Sequence, residues 1–246
     1  MDKTWFATWF DSEYYHKLYN KRNDDEAAQF IGKLMQTLQL PQASTVLDLA
    51  CGKGRHSITL QKLGYDTTGV DLSPNSIAHA KQFETTGLQF AVHDMRQVLA
   101  VNYFDAVLNL FTSFGYLATA RENAQVAKAM CAAAKSNGII VIDFFNAQKL
   151  TNLYQKKYVG TEQRDQLQFN IEKHIANGRL IKDIVISEHG KTLGTFQESV
   201  QLLLLADFEK LFDGIAKLQA VYGNYDLQSY SPQESERMIM VFQKNS

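Results

Sequence analysis

Val46-Leu-Asp-Leu-Ala-Cys-Gly-Lys-Gly-Arg-His-Ser57 opens with an apolar run, Val46 to Ala50, of the kind that a parallel strand buried on both faces requires. Two glycines follow, Gly52 and Gly54, and then a pattern that predicts a helix starting near Lys53. Strand, glycine turn and helix N-terminus make up a nucleotide-binding βα unit. Gly52 carries no Cβ, so its backbone N–H can come close to a ligand. The unpaired N–H groups and the positive dipole end of the helix point to the same place.

The residues around this turn narrow the ligand. A dinucleotide fingerprint, Gly-x-Gly-x-x-Gly, places a third glycine where helix meets strand, and this chain has Ser57 there. Asp48 stands in the strand four residues before Gly52. A fixed negative charge suits a cationic ligand with an ammonium or sulfonium group better than a pyrophosphate. Asp71 ends the next apolar run, Thr67-Thr-Gly-Val-Asp71, 19 residues after Gly52. That is about where an acid accepts both hydroxyls of a ribose. Asp94 ends the run Leu88-Gln-Phe-Ala-Val-His-Asp94. Three acids at the ends of three successive strands suit a ligand with an amino-acid end, a ribose and an adenine, which describes S-adenosylmethionine.

Asp48-Leu-Ala-Cys-Gly-Lys-Gly-Arg-His-Ser57, Gly69-Val-Asp-Leu-Ser73, Asp94-Met-Arg96 and Phe111-Thr-Ser-Phe-Gly-Tyr116 together resemble class I S-adenosylmethionine-dependent methyltransferases. The nearest type is the bacterial small-molecule branch, similar to the sugar N,N-dimethyltransferases. The resemblance is strong from Val46 to about Asn146 and looser on either side. It implies an α/β, doubly wound, Rossmann-like sheet of seven mostly parallel strands with an antiparallel last strand. It also implies that Asp48, Ala50, Gly52 and Gly54 hold the amino-acid part of the cofactor, Asp48 through water or by ordering the turn. Asp71 would take the ribose hydroxyls. Asp94, the Met95 backbone N–H, Leu72 and Leu110 would meet the adenine end.

Elsewhere the chain is read in order. Residues 4–22 hold both tryptophans, Trp5 and Trp9, together with Tyr14, Tyr15, Tyr19 and Arg22. The spacing predicts a helix on the domain edge. The resemblance implies an N-terminal helical lid over residues 1–40, with Tyr14, Tyr19 and Arg22 reaching the cofactor. Asp24 to Leu38 reads as an amphipathic helix with acids in its first turn. Strands at 45–50, 66–71, 88–93, 104–111 and 139–145 alternate with helices at 54–63, 74–84 and 120–135, as in a parallel sheet covered on both faces. The methyltransferase domain is thus expected over 41–147 and 206–246. Between them, 148–205 lacks a strong helix and shows β-rich runs around the Asn177-Gly178 turn, predicting a small antiparallel β insert. Asp207 reads as the cap of a short helix, and 217–222 with 237–243 as the last two strands.

Methyl transfer is an in-line displacement that depends on alignment and exclusion of water. The Thr112–Tyr116 loop lies at the expected methyl position by resemblance, and Tyr116 and Asn146 are the candidate catalytic contacts, with Tyr222 and Tyr225 as further substrate contacts. Asn109-Leu-Phe-Thr112 departs from the Asn/Asp-Pro-Pro-Tyr of nucleobase amine methyltransferases. The net charge of -1 and pI of about 6.6 provide no basic surplus for phosphates. The expected acceptor is therefore an N or O atom of a small molecule. RNA or protein methylation, and non-catalytic binding of the cofactor, are the alternatives. An NAD-dependent oxidoreductase is disfavoured by Ser57 and Asp48. Cys51 and Cys131 form no disulfide framework, no metal-ligand spacing is present, and no apolar run spans a membrane. A cytoplasmic enzyme, with a possible homodimer, is expected.

Overall fold

The structure, a computed structural model, describes residues 5–19 and 24–246. Its main sheet is built from seven strands: β1 (Thr45–Leu49), β2 (Asp66–Asp71), β3 (Leu88–Val92), β4 (Phe104–Asn109), β5 (Ala134–Phe145), and, after an insert, β10 (Ala216–Tyr222) and β11 (Arg237–Lys244). Their order is β10-β11-β5-β4-β1-β2-β3. The first five run parallel, and β11 runs antiparallel to both β5 and β10. Strand order reverses between β1 and β4, which places a crevice at their carboxyl ends. The alternating strand and helix pattern is the reason for the parallel core, because a parallel crossover needs a covering helix.

One sheet face is covered by α3 (Asp24–Leu38) and α4 (Arg55–Lys62), through Phe30, Ile31, Leu34, Met35 and Leu60. The other is covered by α6 (Ala120–Ala133) and α8 (Leu205–Phe212), through Val126, Met130, Phe208 and Phe212. The helix α5 (Pro74–Ala80) starts at Ser73, whose Oγ accepts from the Ser76 N–H, with proline at its first position. Because α3 packs into the sheet core, the expected lid over residues 1–40 reduces, among the described residues, to α1 (Trp5–Phe10) and α2 (Glu13–Tyr19).

The insert is a four-stranded antiparallel sheet, β6 (Tyr158–Arg164), β7 (Leu167–Ala176), β8 (Arg179–Glu188) and β9 (Lys191–Gln201). Leu167, Phe169, Ile171, Ile184 and Ile186 share one of its faces and pack with Trp9 and Leu18 from α1 and α2. The insert thus holds the N-terminal helices down. Three local expectations needed correction. A helix, α7 (Ala147–Leu153), precedes the insert, capped by Asn146; at seven residues it is too short to show an apolar period. The strand β5 begins at Ala134 and runs through Asn137-Gly138, so that pair is an irregularity inside a strand. Asp207 lies inside the first turn of α8, where its carboxylate accepts from the Leu204 N–H.

The missing third glycine of the nucleotide fingerprint has a physical replacement. A Cβ on Gly69 of β2 would stand 2.7 Å from Ser57 Oγ and 2.6 Å from the Phe90 ring. The close approach of α4 to the sheet is therefore provided by the strand instead of by the helix. Gly69→Ala is expected to lower stability by about 1–3 kcal/mol through overpacking. Gly32→Ala, in open space on α3, is expected to raise it by roughly 0.5–1 kcal/mol. Urea denaturation of both variants checks the contrast; equal effects would contradict it.

Candidate active site

A cavity of about 570 Å³ opens at the carboxyl ends of β1, β2, β3 and β4. Ala50–Gly52, Asp71–Ser73, His93–Met95 and Leu110–Ser113 border it from the sheet. Phe10, Tyr15 and Tyr19 from the N-terminal helices and Glu198 from β9 border it as well. Of the residues singled out in the sequence, Tyr19, Ala50, Gly52, Asp71, Leu72, Asp94, Met95, Leu110 and Tyr116 all line it.

The glycine turn is held by hydrogen bonds between strands. Ala50 takes a left-handed φ of 65° and Gly52 one of 57°, reversing the chain directly after β1. The Cys51 N–H donates to the Val70 carbonyl at 2.9 Å. The Gly52 N–H donates to Asp71 Oδ2 at 2.9 Å, and the Ser73 N–H to Asp71 Oδ1 at 2.8 Å. A Cβ at Gly52 would meet no atom within 4 Å, so the open side of the turn is free for a ligand. Gly54 differs. It does not line the cavity, its φ is 85°, and a Cβ there would lie 2.6 Å from the Phe90 ring. Its expected cofactor contact is corrected to a packing role.

Asp48 likewise lies beneath the cavity, not in its wall. It is buried and accepts from Ser57 Oγ at 2.6 Å. Burial pushes its carboxyl from 3.8 up to about 6, assisted by the Asp71 charge and opposed by the Ser57 hydrogen bond. Burial also raises Asp71, against the donors Ser73 and Gly52. Two acids whose charged forms lack solvent favour a cation above them. Burial drives the Cys51 thiol well above its usual range, so it offers no thiolate nucleophile.

Asp94 borders the cavity, but Arg96 engages both of its oxygens, with Nη2 to Oδ2 at 2.6 Å and Nε to each at 3.0 Å. Burial raises its pKa, and the Arg96 hydrogen bonds and charge outweigh that and hold it below the ordinary carboxylate range. Arg96 also bonds Glu122 on α6, so Asp94 is anchored to the next helix.

The loop after β4 is strained. Phe111 and Thr112 both have left-handed φ values, 57° and 60°, uncommon for non-glycine residues and costing about 1–3 kcal/mol each. A residue the sequence reading missed, Asp143 at the end of β5, braces them. Its Oδ2 accepts from the Phe111 N–H at 2.8 Å, and its backbone carbonyl from the Thr112 N–H at 2.9 Å. Arg237 of β11 pairs with Asp143 at 2.7 Å and reaches Thr112 Oγ1 at 2.9 Å. Tyr225 bonds Asp143 and stacks on Phe111, which makes it a support for the loop and not a lining contact.

Asn146 is corrected outright. It is buried, and its amide donates to the Pro232 and Ser235 carbonyls at 2.9 and 2.8 Å while its Oδ1 caps α7. It ties β5 to the β10–β11 connection and does not line the cavity. Tyr14 packs against Phe196 of the insert, away from the cavity. Arg22 lies outside the described residues. His56, in the first turn of α4, lines the cavity, is buried and stacks on Phe111. Among the described residues, no helix is long and apolar enough to cross a membrane.

A family model described as a methyltransferase domain matches residues 41–193. The chain belongs to the methyltransferase domain family. It is 31% identical over 134 residues to a dTDP-3-amino-3,4,6-trideoxy-alpha-D-glucopyranose N,N-dimethyltransferase of Streptomyces venezuelae, covering 54% of this chain and 56% of that one. It is 32% identical over 137 residues to a glycine/sarcosine N-methyltransferase of Parasynechococcus marenigrum, covering 54% and 47%. The chain thus spans about half the length of the curated relatives it matches. Among solved structures it is similar to the CcbJ methyltransferase from Streptomyces caelestis, with a TM-score of 0.80 at 16% identity over 100% of both chains. It is also similar to the amino pentose methyltransferase CalS10 of Micromonospora echinaspora, solved with S-adenosylmethionine bound, with a TM-score of 0.68 at 18% identity over 95% of this chain and 98% of that one. At such identities these structures support the fold. The expected seven-stranded sheet with its antiparallel last strand is the fold they share.

Two measurements test this architecture. A folded pKa raised above the unfolded value gives Asp48 a stabilising effect that is complete below about pH 4 and lost as pH rises through about 6. Asp48→Asn, which keeps an acceptor for Ser57, is expected to gain on the wild type across that window, by on the order of 3 kcal/mol at most. Urea midpoints at pH 4 and pH 8 read the difference; a gap that does not widen with pH would refute it. Arg237→Ala leaves the Asp143 carboxylate buried without its cation and is expected to cost about 3–5 kcal/mol, read as a fall in the denaturation midpoint.

Proposed function

We propose that this chain is an S-adenosylmethionine-dependent methyltransferase acting on an N or O atom of a small molecule. S-adenosylmethionine is the cofactor. The observation that carries this reading is the Asp71 carboxylate, fixed by the Gly52 and Ser73 N–H groups at the edge of the cavity. An acid so held, beside a turn with an open face at Gly52, suits a ribose next to an amino-acid chain.

When bound, the cofactor supplies a methyl carbon activated by its sulfonium. The chain's own residues provide position and shelter. In this reading Asp71 accepts from the ribose hydroxyls, and the Gly52 backbone lies along the amino-acid part. Leu72 and Met95 pack at the adenine end, where Asp94 is kept ionised by Arg96. The buried Asp48 sits under the cationic end and favours it electrostatically. The Phe111–Ser113 loop, Leu110 and Tyr116 border the space where an acceptor approaches. The N-terminal helices and the insert keep water away from the reacting atoms. Small-molecule acceptors are supported by the position of the cavity between the strand ends, the N-terminal helices and β9, by the lack of a basic surplus in a chain of net charge -1, and by the named substrates of the relatives.

Calorimetric titration with S-adenosylhomocysteine tests the reading. The wild type is expected to bind it saturably and to ignore NAD. Asp71→Ala is expected to bind at least about tenfold more weakly, a loss of about 1.4 kcal/mol. Preference for NAD, or no binding by folded wild type, would overturn it.

A further inference from the structure

We propose that the outer part of the cavity, built by the N-terminal helices and the insert, is a binding site for an ammonium group of the methyl acceptor. This rests on the methyltransferase reading, because it assigns the acceptor's half of the same cavity. Four aromatic rings there form one continuous wall. Tyr19 lies against Tyr15 with centroids 4.8 Å apart, Tyr15 against Phe10 at 5.0 Å, and Phe10 edge-on to Tyr116 at 5.0 Å. All four line the cavity. Such rings attract a cation through their quadrupoles, most strongly where water is excluded, and give a neutral hydroxyl no comparable gain.

A carboxylate closes the Tyr19 end of this wall. Glu198 is buried and lines the cavity. Its Oε1 accepts from Trp9 Nε1 at 2.8 Å and from the Tyr19 hydroxyl at 2.7 Å. A buried carboxylate is costly without a cationic partner. Lys182 supplies the compensation: its Nζ stands 3.9 Å from Glu198 Oε2 and donates to the Tyr19 hydroxyl at 2.6 Å. Lys182 is not among the residues lining the cavity. Its Nζ also lies over the Tyr19 ring, 4.6 Å from the centroid, so Lys182 already occupies that ring, and the cation-attracting part of the wall is Phe10, Tyr15 and Tyr116, with the Glu198 carboxylate at its edge. The other basic residues lining the cavity are His16, Lys53, Arg55, His56, His79 and His93. Lys53 and Arg55 belong to the glycine turn and the start of α4. Burial, and then the Lys53 charge, lower the His16 pKa, so it is neutral at pH 7.

Both tryptophans touch this wall, Trp5 against Tyr116 at 5.9 Å and Trp9 through Glu198, so intrinsic fluorescence reports on it. The protein is titrated with choline and with 3,3-dimethylbutan-1-ol, which has choline's shape without its charge, in the presence and absence of S-adenosylhomocysteine. Choline is expected to saturate at a concentration about tenfold lower than the alcohol. Glu198→Gln is expected to bring the two ligands within about threefold of each other while leaving S-adenosylhomocysteine affinity unchanged. Tyr15→Leu is expected to weaken choline and not the alcohol. Equal responses to the two ligands, or none to either, overturn the proposal, and so does a Glu198→Gln variant that keeps the preference or loses S-adenosylhomocysteine affinity. Failure of S-adenosylhomocysteine to bind the wild type counts against the methyltransferase reading instead, and the comparison without it still reads the ammonium site.

Discussion

The hydrogen bond from the Gly52 N–H to Asp71 Oδ2, 2.9 Å long, joins the turn after β1 to the end of β2, and the site takes its shape from that link. It needs a left-handed Ala50 to turn the chain out of the sheet, and it needs α4 close enough to the sheet for the turn to stay tight. Gly69 provides the second requirement by leaving room for Ser57. Ser57 in turn donates to Asp48, so one helix residue satisfies a buried acid and sets the helix position. Turn, helix and two acids are thus a single coupled unit, and changes within it are expected to be non-additive.

A second unit opposes the first across the strand-order reversal. The consecutive left-handed residues Phe111 and Thr112 persist because Asp143, Arg237 and Tyr225 hold them from below. A buried ion pair of this kind contributes little net stability compared with an apolar pair. Its effect here is geometric: it fixes which way the loop backbone faces the cavity. The cation comes from β11, the strand inserted antiparallel beside β5. The late C-terminal hairpin therefore completes a loop laid down early in the chain.

The sheet, the glycine turn and the acids at the strand ends were legible in the sequence because each has a local signature. An apolar run, a glycine pair and a terminal aspartate report on positions a few residues apart. Arg237 and Asp143 have no such signature, since 94 residues separate them and an aspartate ending an apolar strand looks the same whether it meets ligand or arginine. Asn146 shows the converse: a polar residue after β5 stands at the ligand-bearing edge by topology, yet its amide is taken up by carbonyls of a distant connection. Gly54 was read as a ligand contact because spacing cannot tell a glycine needed for open space from one needed against Phe90.

The two halves of the cavity also differ in what their construction constrains. The sheet side is fixed by backbone N–H groups of the turn and loop, which donate to the Val70 carbonyl and to the Asp71 and Asp143 carboxylates. The opposite side is made of side chains, from helices α1 and α2 and from β9, held together by ring contacts and by the Trp9, Tyr19, Lys182 and Glu198 network. Such a surface can change its chemistry one residue at a time without disturbing the glycine turn. In the proposed reading the methyl donor belongs to the sheet side, and acceptor choice to the segments that cover it. That division explains why motifs in the first half of the chain point to a reaction class while the acceptor has to be sought in the packing of the ends and the insert.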